Sequence, residues 1–260
     1  EFCGRDRALV FEDPNGTRIL YDAGRTVAGP EDPRLGDIDV ILVSHMHGDH
    51  VGDRRIAKTN GGTCGGPELP VTTLPQSNTI DIAVAKGSTI VTGSEMPAFF
   101  AAKLEKAGAD GSKSQLVRFG AKREVAGVTI TTVPAVHSNG VSPSFLEGPL
   151  AEYLKAAGVG ASVGPPTGYV LTFSNGLVVY LSGDTGITAE QRLVVGEHYG
   201  ARLAVMNIGD TYTTGPEEAA YVVNELLQPN AVIASHANEP ATEGGKVREG
   251  SRTRQFMDAA

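Results

Sequence analysis

The chain has 260 residues, of which 40% are hydrophobic and 20% charged, which suits a soluble globular protein built as one domain over residues 1–260. Its net charge of -8 repels nucleic-acid phosphates and counts against a nuclease, and no apolar run approaches the roughly 18 residues of a membrane span. The two cysteines, Cys3 and Cys64, lie outside any CxxC pair, so a structural zinc site is not supported. A disulfide between them would indicate a processed, periplasmic or secreted chain, a reading that Glu1 in place of a starting Met permits; two thiols would fit the cytoplasm.

Residues 8–11 and 18–21 read as strands joined by the turn Asp13-Pro14-Asn15-Gly16, a hairpin. A Pro/Gly/Asp-rich loop, residues 25–38, leads to the continuously apolar run 40–43. That run feeds Ser44-His45-Met46-His47-Gly48-Asp49-His50-Val51-Gly52-Asp53, which packs three histidines and two aspartates into residues 45–53. Glycines within it let the backbone fold back and aim several side chains at one point. Imidazole and carboxylate are the ligands that suit zinc, iron, nickel or manganese. Residues 59–78 are irregular and long enough to wall a site.

Residues 79–85 and 89–91 read as strands, and Thr92-Gly93-Ser94-Glu95 as a capping box opening a helix that ends at Gly108. Residues 115–119 and 128–133 are strands again, the second running through Pro134-Ala135-Val136 into His137. Residues 138–168 have the character of an insertion carrying a short amphipathic helix, 149–157, either a lid or a crossover. A hairpin of residues 169–173 and 177–181 delivers Ser182-Gly183-Asp184-Thr185-Gly186. Residues 188–191 cap a helix ending near Gly200, with His198 in its last turn and given no function. Residues 203–208 form a strand; Thr214-Gly215-Pro216-Glu217 caps the helix 217–228; and the strand 231–234 ends at Ser235-His236.

Each candidate ligand thus follows a strand, where α/β folds place their chemistry. His45-Met46-His47-Gly48-Asp49-His50 resembles the HxHxDH signature of the metallo-β-lactamase superfamily, His137 its third-histidine motif, and Ser182-Gly183-Asp184-Thr185 its SGDT motif. The resemblance covers nearly the whole chain. It implies a four-layer αββα sandwich in the α/β class, with Asp22 supporting the metal loop. It further implies one metal on His45, His47 and His137, a second on Asp49, His50 and His236, and Asp184 bridging both. Two divalent ions, zinc or alternatively manganese or iron, would then activate a shared water, with Asp49 and Asp184 as the catalytic carboxylates. Residues 207–219 and 233–236 are similar to the UlaG-like branch, which includes L-ascorbate-6-phosphate lactonase. Two departures stand out: no first strand with a glycine-histidine turn precedes Ala8, and Ala237-Asn238-Glu239-Pro240 does not match the branch's ending.

The leading expectation is a dinuclear hydrolase acting on a small ester or lactone, not on nucleic acid or at a membrane. Alternatives are a phosphoester hydrolase or ribonuclease, an iron-dependent oxidoreductase, or a binding module on the same fold. A β-lactamase of the classes with a cysteine ligand is disfavoured, because Asp184 stands at that place. Residues 59–78 and 138–168 contain a single basic side chain, Lys155, which disfavours a phosphorylated substrate. Tyr212 and Asn139, each following a strand close to a ligand, are the expected substrate-facing residues.

Overall fold

The computed structural model describes residues 6–59, 66, 69–70 and 77–260. Cys3, Cys64 and most of the 59–78 stretch lie outside the described residues. The first sheet contains β1 (Leu9–Glu12), β2 (Arg18–Tyr21), β3 (Val40–Leu42), β4 (Thr89–Thr92) and β5 (Ser114–Leu116), side by side in that order. The β1–β2 pair is an antiparallel hairpin, and the other neighbours are parallel. In the hairpin turn, Asn15 N–H donates to Asp13 Oδ2 at 2.9 Å, the local side-chain bond that makes Asp a turn residue.

The second sheet contains β6 (Lys122–Val125), β7 (Val128–Pro134), β8 (Thr167–Thr172), β9 (Val178–Leu181), β10 (Leu203–Asn207) and β11 (Ala231–Ser235). Neighbours from β6 to β9 are antiparallel, whereas β9, β10 and β11 are parallel. Since β7 and β9 each oppose β8, the strands β7, β9 and β11 all point the same way. Their C-terminal ends therefore open on one edge of the sheet, and these are the ends that lead to His137, Asp184 and His236.

Side chains alternate across each strand, which explains why the central strands are apolar on both faces. Val40 and Leu42 of β3 join Ile19, Tyr21, Ile130, Tyr169, Leu171 and Val179 between the sheets. Ile41 and Val43 point the other way, onto helices Asn78–Lys86 and Met96–Lys106 through Ile80, Ile82, Phe100 and Leu104. On the far side, Val170, Tyr180, Ala204 and Met206 pack against helices Gln191–His198, Pro216–Tyr221 with its continuation Val222–Leu227, and Arg252–Ala259. Three apolar layers between four structural layers make the αββα sandwich. Each fully buried large aliphatic side chain contributes about 1.5–3 kcal/mol.

Residues 79–85 are helical and not the strand that their alternating Ile80, Ile82 and Val84 suggest. Ser77 Oγ caps that helix by accepting from Ile80 N–H, and Gly87, left-handed at φ 67, ends it. The helix after β4 exists, but the box at 92–95 does not form: Thr92 ends β4, and Glu95 stands at the helix N-cap with no side-chain capping bond. Nor does Thr214 cap the helix opened by Pro216, since its hydroxyl donates to Asn207 O at 2.8 Å. The reciprocal box at 188–191 does form, with Thr188 N–H on Gln191 Oε1 at 2.9 Å and Gln191 N–H on Thr188 Oγ1 at 3.4 Å. Within 138–168, Val141 and Phe145 anchor the segment in the core, while helix Gly148–Ala157 has no buried residue. No described helix is long and apolar enough to cross a membrane.

Candidate metal centre

Asp22 directly follows β2 in the left-handed region, at φ 44, and reaches across to the loop after β3. Its Oδ1 accepts the Ser44 N–H at 2.8 Å; its Oδ2 accepts the Ser44 hydroxyl at 2.7 Å and His50 Nδ1 at 2.8 Å. His45 Nδ1 lies 2.9 Å from the Ser44 hydroxyl. These bonds use the Nδ1 atoms of both histidines and leave each Nε2 for the centre, as histidine ligands are ordinarily oriented.

The loop then closes into a single turn, Gly48–Val51. Gly24 N–H donates to His50 O, and Asn78 N–H to Gly52 O, each at 2.9 Å, so both flanks are fastened. Asp53 carries no ligand role here: it forms a bidentate pair with Arg25 at 2.6 and 2.9 Å. Gly52 has φ 76, and a Cβ added there would meet Asn78 Cβ and lie 2.5 Å from Gly24 O. Gly52→Ala is therefore expected to destabilise the fold by about 2 kcal/mol or more, which a denaturant melt would read.

The other ligand loops are tied to one another. Val136 N–H donates to Thr185 Oγ1 at 3.0 Å, and Gly186 N–H to Val136 O at 3.1 Å, coupling His137 to Asp184. Buried Asn207 donates to Thr185 O at 3.0 Å and accepts from the Ser182 hydroxyl at 2.9 Å. Thr167 N–H donates to Ser44 O at 2.8 Å, joining the two sheets beside the centre.

The seven residues His45, His47, Asp49, His50, His137, Asp184 and His236 converge. One group contains His45, His47, His137 and Asp184, and the other Asp49, His50 and His236; within each, the donor atoms lie within 4.8 Å of one another. His45 Nε2 and His47 Nδ1 are 2.9 Å apart, and His137 Nε2 is 3.4 Å from His47 Nδ1. Asp184 Oδ2 lies 3.7 Å from Nε2 of His45 and of His137, 3.4 Å from that of His50 and 3.1 Å from that of His236. Donors held about 2.0–2.1 Å from a tetrahedral ion stand about 3.3 Å apart, so the spacing fits such ions.

The electrostatics point the same way. Burial holds the pKa of His45 well below the ordinary value, and those of His47 and His137 below it, keeping these rings neutral. Burial would raise the Asp49 carboxyl, but His236, His50 and Arg7 together bring it far below the usual range. Asp184 is likewise lowered against its own burial, by His50 and His236. Burial also opposes charge on His50, yet Asp184 and Asp22 outweigh it and raise its pKa to about 10. The carboxylates thus favour positive charge at His50 Nε2, a buried atom that makes no hydrogen bond. A cation satisfies that requirement and uses the lone pair as well.

Among the other residues singled out in the sequence, His198 is exposed, at the end of its helix beside Tyr199. Tyr212 is 67% exposed, on a loop joined to the Asp184 loop by Thr214 N–H to Thr185 O at 3.1 Å. Asn139, expected to face substrate, is 5% exposed and otherwise engaged: its Oδ1 accepts Met46 N–H at 2.9 Å and its Nδ2 donates to Pro165 O at 3.3 Å. Sequence reasoning missed Arg7, which pairs with Asp49 at 3.1 Å, and Asn238, which accepts from Arg7 at 2.8 Å. A cavity of about 690 Å³, walled by Leu9, Val27, Ile233, Phe256 and Met257 among others, adjoins the centre through Arg7 and His236; Asp49 and Asp184 do not line it.

A family model described as a beta-lactamase superfamily domain matches residues 17–237. A UPF0173 metal-dependent hydrolase of Polynucleobacter asymbioticus is 30% identical over 244 residues, which is 90% of this chain and 73% of the relative. One from Methanopyrus kandleri is 32% identical over 227 residues, covering 85% and 77% respectively. Among solved structures, Igni18, a metallo hydrolase of Ignicoccus hospitalis, aligns at TM-score 0.59 and 20% identity over 97% of this chain and 87% of that one. The metallo-β-lactamase fold protein YhfI of Bacillus subtilis aligns at TM-score 0.53 and 14% identity over 88% and 77%.

Proposed function

This chain belongs to the metallo-β-lactamase superfamily and is a metal-dependent hydrolase, and on that premise we propose that it holds two divalent cations and cleaves a small neutral ester or lactone. The observation that carries the reading is the position of Asp184 Oδ2, between histidines of both ligand groups at 3.1–3.7 Å. Seven donors exceed what one tetrahedral ion uses. His45, His47 and His137 would hold one ion, Asp49, His50 and His236 the other, with Asp184 common to both. Ions held there supply Lewis acidity and a water of lowered pKa, zinc being the first choice for this imidazole-rich set.

The chain's own groups have separable parts in this reading. Asp22 and Ser44 orient His45 and His50. Asp49, held ionised by His236, His50 and Arg7, serves as a ligand of the second ion. The mouth lies where His47 and His137 are half-buried and Ser138 is exposed, and Tyr212 is the aromatic side chain offered to substrate there.

A neutral substrate is favoured because, among the described residues, the arginines touching the ligand loops are already engaged, Arg7 with Asp49, Arg25 with Asp53, and Arg252 with Ala237 O and Glu239. A phosphoryl group would need cationic donors that these pairs do not leave free. Similarity to the UlaG-like branch extends to the lactone chemistry in this reading, but not to a sugar phosphate. The test is metal analysis of protein loaded with zinc, manganese or iron, followed by a paired substrate panel. Neutral lactones and esters are expected to exceed sugar-phosphate lactones and phosphodiesters at least tenfold in kcat/KM. A tenfold preference the other way overturns the substrate class, and activity confined to an iron-loaded, redox-active form overturns hydrolysis of these substrates.

A further inference from the structure

Arg7 is the guanidinium that contacts a candidate ligand among the described residues. Its side chain is only 5% exposed. Nε and Nη2 both donate to Asp49 Oδ2, at 3.2 and 3.1 Å; Nη2 also donates to Asn238 Oδ1 at 2.8 Å, and Nη1 to Asp6 O at 3.2 Å. Asn238 lies two residues beyond His236, and both take left-handed backbone, at φ 59 and φ 54. One side chain therefore staples the loop of Asp49 to the turn of His236. These loops come from opposite sheets and together supply the second ligand group.

The oxygen that Arg7 holds is the one that faces the other ligands. Asp49 Oδ2 stands 3.7 Å from His50 Nε2 and 3.6 Å from His236 Nε2. A cation bound by these three residues must share Oδ2 with the guanidinium or take the other oxygen, and in either case it sits beside a fixed positive charge. Arginine does not lose its proton in proteins, so no ordinary pH relieves this repulsion. Asp184 has no such partner: its ion-pair contacts among the described residues are all histidines. With Asp184 common to both, the first group adds three imidazoles that no cation among the described residues engages, and the second adds two imidazoles and Asp49, whose charge Arg7 offsets and whose ion-facing oxygen it already holds.

We propose that Arg7 makes the two metal positions unequal, so that the group of His45, His47, His137 and Asp184 fills first and the group of Asp49, His50 and His236 holds a weaker, exchangeable ion. The proposal rests on the dinuclear reading above and adds an order of filling to it. A unit charge a few ångströms from a divalent ion, even partly screened, separates the affinities by about tenfold or more. The staple keeps the second group in place, and its charge limits how tightly that group binds.

Zinc is titrated by calorimetry into chelator-stripped wild type, Arg7→Met, which keeps a long stem without the charge, and Arg7→Lys, which keeps the charge. Folding is checked by circular dichroism, and Arg7→Gln, which can still donate to Asp49, replaces the methionine variant if that does not fold. Wild type and the lysine variant are expected to bind in two steps, the second at least tenfold weaker. The uncharged variant should tighten the second step at least tenfold and leave the first unchanged. A second step that is weaker or unmoved in the uncharged variant overturns the role of Arg7 while leaving two ions in place. A single ion at saturation in every protein overturns the dinuclear reading and this proposal with it.

Discussion

Asp184→Ala is expected to lower kcat/KM about 10³-fold or more, roughly 4 kcal/mol of transition-state stabilisation, and to reduce the bound metal. Asp184 is 3% exposed, and its Oδ2 lies within 3.7 Å of the Nε2 atoms of histidines from both ligand groups. Removing it withdraws a negative charge from among four imidazoles, so the centre loses both a bridge and the charge that offsets its cations. Asp184→Asn separates these contributions, because it keeps the volume and one carbonyl oxygen while losing the charge; a similar loss of metal in this variant identifies charge as the larger part. His198→Ala provides the contrast. That histidine is exposed at a helix end, and its removal should change kcat/KM less than twofold. Equal losses from Asp184→Ala and His198→Ala would show that the active centre lies elsewhere.

The centre was largely legible in the sequence because its ligands follow strands. A run such as Val40-Ile41-Leu42-Val43 has to be buried on both faces, so the polar residues directly after it have to lie at the sheet's edge. The same logic placed His137, Asp184 and His236, and β7, β9 and β11 do end on one side. The helix Asn78–Lys86 was misread for a physical reason. Ile80, Ile82 and Val84 alternate as a strand would, but the helix buries a wide face that takes in Asn78, Thr79, Ile80, Ile82 and Ala83. The available signal was punctuation, Ser77 at its start and Gly87 at its end. The boxes at 92–95 and 214–217 do not form because Thr92 belongs to β4 and Thr214 spends its hydroxyl on the Asn207 carbonyl, which spacing along the chain cannot reveal. Arg7 was invisible for the same reason, because its partners Asp49 and Asn238 are 42 and 231 residues away. Asn139 was correctly placed beside a ligand, yet it faces inward to hold Met46 N–H, so nearness in sequence did not give its direction.

Asp22 acts on the centre through the residues it holds, and its replacement is expected to weaken metal binding about 10–100-fold. Its carboxylate is 1% exposed and accepts three hydrogen bonds, from the Ser44 backbone, the Ser44 hydroxyl and His50 Nδ1. Asp22→Ala leaves three buried donors without an acceptor, each costing about 1–3 kcal/mol, and puts alanine at φ 44, so a loss of several kcal/mol in stability should accompany the loss of metal. Asp22→Asn is the more informative variant. Its carbonyl can still accept the Ser44 N–H, but its amide now donates where a carboxylate oxygen accepted. His50 Nδ1 must then accept, which moves the ring's proton to Nε2, the nitrogen aimed at the centre. The asparagine variant should therefore keep most of the stability in a denaturant melt and still lose affinity in a zinc titration, above all at the position served by His50. Wild-type affinity in a folded Asp22→Asn protein would show that the tautomer of His50 does not govern this centre.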